Sequence, residues 1–244
     1  MRKLLVVLAF FPIQAFAWTN AADERIALKA AQLAPSDLRM LLETFEHEYK
    51  QGLARARADE GGDTHKYLVL SKKGRLRERI ERETAAAISD IRTGKPMRDV
   101  VLRLGVLSHY VADANNPFHL SDQDHRLEPL HNDFEHYFER RLEKFPTVFY
   151  GLDQNFRMSS YLDQTFTRTV EFYPLLSEEY FRDGAQRSSV EFDDRSTAFG
   201  IASVCYSRAV TDLVNIYFYI WRQAGGDVRA APILRGSNFF LNAN

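Results

Sequence analysis

The chain has 244 residues, 45% of them hydrophobic, and a net charge of −1 at pH 7, which suits one domain with a sizeable core. The near-neutral balance gives no basic excess of the kind that advertises nucleic-acid binding. Its single cysteine, Cys205, excludes an intrachain disulfide.

Arg2 and Lys3 precede an apolar run, Leu4 to Phe11, and Ala15-Phe16-Ala17 has the small-x-small cleavage pattern. Residues 1–17 therefore read as a secretory signal peptide, and the protein is expected to be secreted or periplasmic. The run is shorter than the ~20 apolar residues a spanning helix needs. Residues 18–244 then form one helical domain. Ile26 to Leu33 is apolar-periodic and closes at Pro35. Ser36 or Asp37 caps a helix carrying Leu38, Leu41, Leu42, Phe45, Tyr49 and Leu53. Gly61-Gly62-Asp63 is a turn. Lys73 to Ile91 is a charged helix with a narrow apolar face, ended by Gly94-Lys95-Pro96. Met97 to Ala114 is a more apolar helix, broken by Asn115-Asn116-Pro117. A loop reaches Pro129, and a helix runs from about Leu130 to Phe145. Pro146 to Ser160 reads as irregular, and Tyr161 to Phe181 as a helix interrupted near Pro174. Asp194 to Ala224 is a long apolar helix. Arg208 and Asp212 in its middle mark it as a buried core helix rather than a membrane span. From Val228 a surface extension follows. No alternating strand pattern and no repeat is visible, so the expected class is all-α.

The chemistry concentrates between His109 and Glu135. His109/Asp113 and His131/Glu135 are i, i+4 pairs, each on one helix face, with His119 between them. Taken singly, each has an ordinary explanation. His109 and Asp113 can pair in the core, His119 can be a loop histidine, and His131/Glu135 can be a solvated face. Together they form a set of imidazoles and carboxylates at metal-ligand spacing, and zinc takes both ligand types. Upstream, Asp59 and His65 can complete a site or form a plain turn with a stray histidine. His47, His125 and His136 lack partners at ligand spacing. Bound metal would also stabilise a chain without disulfides.

These motifs resemble the zinc-dependent phospholipase C family, which shares its helical fold with the S1/P1-type nucleases. The family pattern is His-x-x-x-Asp, a histidine ten residues after the first, then His-x-x-x-Glu. His109, Asp113, His119, His131 and Glu135 match it. Asp59 and His65 match an upstream pair in order, though at short separation and without the usual preceding proline. Trp18, directly after Ala17, matches a tryptophan that binds metal through its freed N-terminus. The resemblance spans residues 18 to 135 and implies up to three zinc ions. Asp59, His65, His109 and Asp113 would hold one, and His119, His131 and Glu135 another. Trp18, a first-helix histidine and a bridging Asp113 would hold the third. Trp18 to Pro35 contains no histidine; Asp23 or Glu24 stands about where it should be.

The implied activity is phosphodiester hydrolysis by metal-activated water, with Asp59 as the catalytic residue that orients or deprotonates that water. Phospholipid is the first choice of substrate, because Glu135 stands where the nucleases have Asp and the cysteine pairs common in them are missing. A single-strand nuclease is the alternative, and a non-catalytic secreted zinc-binding protein a further one. Phe118, Phe134, Phe138, Tyr150 and Phe156 can line a substrate site or simply be core. No obligate protein partner is expected, and any peripheral membrane contact would come from the catalytic face.

Overall fold

Apolar residues at helical spacing determine the architecture, and local breakers divide it. Residues 20–59 and 61–228, with the backbone of 240–241, are described by a computed structural model. The expected signal segment 1–17 and Trp18 lie outside the described residues.

α1 (Asn20–Leu33) is followed by α2 (Ser36–Thr44) and α3 (Glu46–Arg57). The periodicity predicts one continuous helix across the last two. Instead Phe45 leaves helical geometry at φ −111°, ψ 37°, although its N–H still reaches Leu41 O. α4 (Leu76–Arg92) and α5 (Met97–Asp113) follow the expected pattern, and α5 starts directly after Pro96. Proline suits that place because the first helical N–H groups have no intrahelical acceptor. α6 (His131–Arg141) is shorter than predicted, since Leu142–Lys144 tightens into a 3₁₀ turn.

α7 (Met158–Val170) and α8 (Phe172–Tyr180) are separated at Glu171, close to the break expected from Pro174. α9 (Thr197–Gln223) is capped by the Ser196 side chain, which accepts from Phe199 N. Within Pro146 to Ser160, Thr147–Val148 (β1) pairs antiparallel with Phe240–Leu241 (β2). The all-α class holds: among the described residues this pair and one isolated bridge, Leu68 to Lys73, are the extended pairings.

α9 runs through the middle of the core and packs against α1, α4, α5 and α8. Its buried Asp212 is fully occupied, accepting from Tyr161 Oη at 2.7 Å, Asn115 Nδ2 at 2.9 Å, Thr165 Oγ1 at 3.1 Å and the Arg168 guanidinium. A satisfied carboxylate of this kind belongs in a protein core. Among the described residues no helix is long and apolar enough to cross a membrane. α5 crosses α3 through Gly105 and Gly52, where backbone meets backbone. That close crossing fixes α5, which carries the first i, i+4 pair of the site.

Candidate metal centre

α5 presents His109 and Asp113 on one face, both fully buried. His65 arrives from the turn after α3, just past the 3₁₀ segment Gly62–Thr64. Three ligand atoms converge there. His65 Nδ1 lies 2.8 Å from Asp113 Oδ2 and 3.2 Å from His109 Nε2, and His109 Nε2 lies 3.4 Å from Asp113 Oδ2. His119, in the turn opened by Asn116-Pro117, joins His131 and Glu135 of α6 in a second buried group. There His131 Nε2 is 2.9 Å from Glu135 Oε1, while His119 Nε2 stands 3.9 Å from both Glu135 Oε1 and Asp113 Oδ1. Asp113 therefore touches both groups, one with each carboxylate oxygen.

The outward hydrogen bonds decide which ring nitrogens face the centre. His65 Nε2 donates to Asp59 O at 3.1 Å, His109 Nδ1 to Asp23 Oδ2 at 2.7 Å, and His119 Nδ1 to His65 O at 2.5 Å. A carbonyl or carboxylate oxygen can only accept, so these nitrogens carry the hydrogens. The lone pairs of His65 Nδ1, His109 Nε2 and His119 Nε2 are thereby turned inward, onto carboxylate oxygens that are also acceptors. His119 Nε2 and Asp113 Oδ1 are buried with no hydrogen-bond partner at all. Such a convergence is costly unless a cation or protons fill it. Zinc fits the donor set. Bonds of ~2.0 Å in a tetrahedron give ligand–ligand edges of about 3.3 Å, against the 2.8, 3.2 and 3.4 Å in the first group.

Without a cation the charges respond as expected for a buried cluster. Burial lifts Glu135 to about 7 and pulls His131 down to about 3. Burial also works against ionised Asp113, but His109, His119 and His65 outweigh it and hold the group at about 2. For His109 burial is outweighed by Asp113 and Asp23, and the imidazole rises to about 9. The raised His109 and depressed Asp113 thus favour a charged pair at the first group.

The remaining expected site residues divide. Asp23 is buried against the outer nitrogen of His109 and also accepts from Arg57 Nη2 at 3.1 Å. Its carboxylate stands behind the His109 ring, outside both clustered groups, with the Arg57 guanidinium beside it. Glu24 points elsewhere: its carboxylate is partly exposed and lies 3.5 Å from Lys50 Nζ. The carboxylate of Asp59 stands beside the first group, not in it. It accepts from Tyr110 Oη at 2.9 Å and Gly61 N at 3.1 Å, and partly buried Arg79 lies 4.0 Å away. Burial raises its pKa, but these donors outweigh that and hold it below the ordinary carboxylate range. Arg57, Tyr110 and Asn116 were missed by sequence reasoning. Asn116 Nδ2 lies 3.4 Å from Glu135 Oε1 and 3.5 Å from His131 Nε2. Only Tyr110 carried a signal, its place next to His109.

A cavity of about 620 Å³ opens at the second group, with His131 in its wall beside Phe118, Tyr173, Lys66, Asp122 and Glu128. The His131 ring stacks on Phe118 at 5.1 Å and 4°. Of the other aromatic candidates, Phe134, Phe138 and Phe156 are core, and Tyr150 is exposed.

Solved structures that share this fold include two alpha-toxins. Clostridium perfringens alpha-toxin, from an avian strain, aligns over 85% of this chain with a TM-score of 0.60 and 16% identity. The alpha toxin of Clostridium absonum aligns over 84% with a TM-score of 0.64 and 15% identity. The chain covers 65% and 63% of those two chains, a little under two thirds of their length. No family model and no curated protein matches the sequence. The likeness to the alpha-toxins is one of fold.

Proposed function

We propose that this chain is a zinc-dependent phosphodiesterase acting on phospholipids in the manner of a phospholipase C. The observation that carries the reading is the pair of buried histidine–carboxylate groups joined through Asp113 and His119, opening onto a cavity beside His131. The motif resemblance and the alpha-toxin fold support it.

His65, His109 and Asp113 would hold one ion, and His119, His131 and Glu135 a second. Bound zinc supplies a lowered pKa for water and neutralises charge on phosphate oxygens and the leaving alkoxide. The protein's part is orientation. Asp23, the Asp59 carbonyl and the His65 carbonyl fix three imidazoles in the ligating tautomer, as outer hydrogen-bond partners do at metal sites. Asp59, held ionised by Tyr110 Oη and Gly61 N, accepts a hydrogen bond from the attacking water and aligns it. A carboxylate kept below its ordinary range is a better orienter than proton acceptor. Burial of both groups excludes bulk water and strengthens every charge interaction there. The carboxylates of Asp122, Asp124 and Glu128 outnumber Lys66 in the cavity wall and disfavour a polyanionic strand threaded into the cavity itself.

The test is a side-by-side assay of the purified, secreted chain on phosphatidylcholine vesicles, a chromogenic phosphocholine diester and single-stranded DNA. Chelator-sensitive release of diacylglycerol and of the chromogen, with DNA left intact, is expected. Cleavage of DNA, or no turnover of either diester, would overturn the reading.

A further inference from the structure

The segment between the first metal group and α4 is a short hairpin, Lys66 to Arg75, and the rest of the site does not explain its surface. It is tightly built. Leu68 N donates to Lys73 O at 2.7 Å, Lys72 N to Leu68 O at 2.7 Å, and Leu76 N to Lys66 O at 3.1 Å. Lys72 sits at φ 56°, in the left-handed region that side chains other than Gly, Asn and Asp seldom adopt. Gly74, at φ 94°, could not carry a side chain, because a Cβ would lie 2.0 Å from Lys66 O. The hairpin is also fastened to the metal centre, with Tyr67 N donating to His119 O at 2.9 Å and Val69 N to Leu120 O at 3.0 Å.

This framework holds an unusual set of side chains at its tip. Leu70 is 73% exposed. Lys72, Lys73 and Arg75 are exposed on the same hairpin, and among the described residues none forms an ion pair. The neighbouring cations Arg77 and Arg79, by contrast, are paired with Asp163 and Glu83. At its base, Lys66 and Leu68 form part of the cavity wall. An apolar tip flanked by cations that have no ion-pair partner among the described residues, on a hairpin continuous with a cavity, matches the chemistry of an anionic bilayer surface.

We propose that the Lys66–Arg75 hairpin docks the protein on an anionic lipid surface. Leu70 enters the headgroup boundary, Lys72, Lys73 and Arg75 meet the lipid phosphates, and the cavity mouth is thereby brought to the membrane. The proposal rests on the phospholipid reading of the site. Each basic side chain near such a surface contributes about fivefold in affinity.

The experiment is cosedimentation of the zinc-loaded chain with vesicles of pure phosphatidylcholine and with vesicles that also carry the anionic lipid phosphatidylserine. The variants are K72Q/K73Q, Leu70→Ser and a control, R55Q/R98Q, which removes the same charge on α3 and α5. Expected are tighter binding to the anionic vesicles, a roughly 25-fold loss in K72Q/K73Q, a loss of about tenfold in Leu70→Ser, little change in the control, and weakening with salt. Hydrolysis of the soluble chromogenic diester should be unchanged in all three. Equal binding to both vesicles, full binding by K72Q/K73Q, or binding to a single-stranded oligonucleotide in place of vesicles would overturn the proposal. Lysine-dependent vesicle binding without lipid hydrolysis would support the docking surface while refuting the phospholipase reading.

Discussion

Replacing Gly105 by alanine should force α3 and α5 apart. A Cβ at Gly105 would stand 2.0 Å from Tyr49 O and 3.0 Å from Gly52 Cα. Reaching an ordinary contact of 3.4 Å requires a shift of about 1.4 Å at the crossing. Overpacking costs about 1–3 kcal/mol when side chains can yield. Here the obstacle is backbone on both sides, so the upper end, about 3 kcal/mol, is expected. For a chain of this length that lowers Tm by about 6–12 °C. His109 lies one turn beyond Gly105, so the shift also disturbs the first metal group. The rise in Tm on adding zinc, which reflects binding to the folded state, should therefore shrink. Thermal unfolding with zinc and with excess chelator measures both effects. Gly200→Ala is the matched control: Gly200 is exposed on α9 with nothing within 4 Å of an added Cβ. It should be stabilising by up to about 1 kcal/mol. A Gly105→Ala protein melting within about 2 °C of wild type would refute the crossing.

Other substitutions separate the roles within the site. Asp23→Asn keeps the clustered ligand atoms but weakens the hold on the His109 ring. Zinc affinity, read by competition with a chromophoric chelator, should fall about 10–100-fold, and an unchanged affinity would remove Asp23 from its orienting role. Asp59→Asn should keep most of its zinc yet lose turnover by about 10²-fold or more, so near-wild-type kcat contradicts the assignment. Cys205 is buried on α9, where desolvation pushes its thiol up to about 12. Since that group stays protonated below its raised pKa, a thiol reagent at pH 8 should label the protein only after unfolding; prompt labelling of the native chain would contradict the burial.

The two clustered pairs were legible because their spacings are local. His109/Asp113 and His131/Glu135 each occupy one face of a single helix, so their pairing needs only helical periodicity, and α5 and α6 supply it. The boundary at Glu171 followed from Pro174 in the same way. What the residues could not disclose was contact between distant segments. Choosing between Asp23 and Glu24 required knowing which side of α1 faces α5. Neighbours in sequence point about 100° apart on a helix, and Asp23 turned inward to His109 while Glu24 turned to Lys50. Tyr110 on Asp59, Arg57 on Asp23 and Asn116 beside Glu135 depend likewise on tertiary packing. The break at Phe45 carries no glycine or proline, and the β1–β2 pair is only two residues long on each side. Trp18, expected to add an N-terminal ligand, lies outside the described residues.

The proposed activity requires metal at the two buried groups. The measurement is zinc per chain by mass spectrometry on the purified, dialysed protein, alongside His119→Ala and Asp113→Asn. Two tightly held ions are predicted in the wild type, because Arg57 and His109 already engage Asp23. His119→Ala should lose the ion of its own group, and Asp113→Asn, which touches both, should lose more than one equivalent. A wild-type chain that binds no zinc, or an Asp113→Asn protein that keeps its full complement, would contradict it.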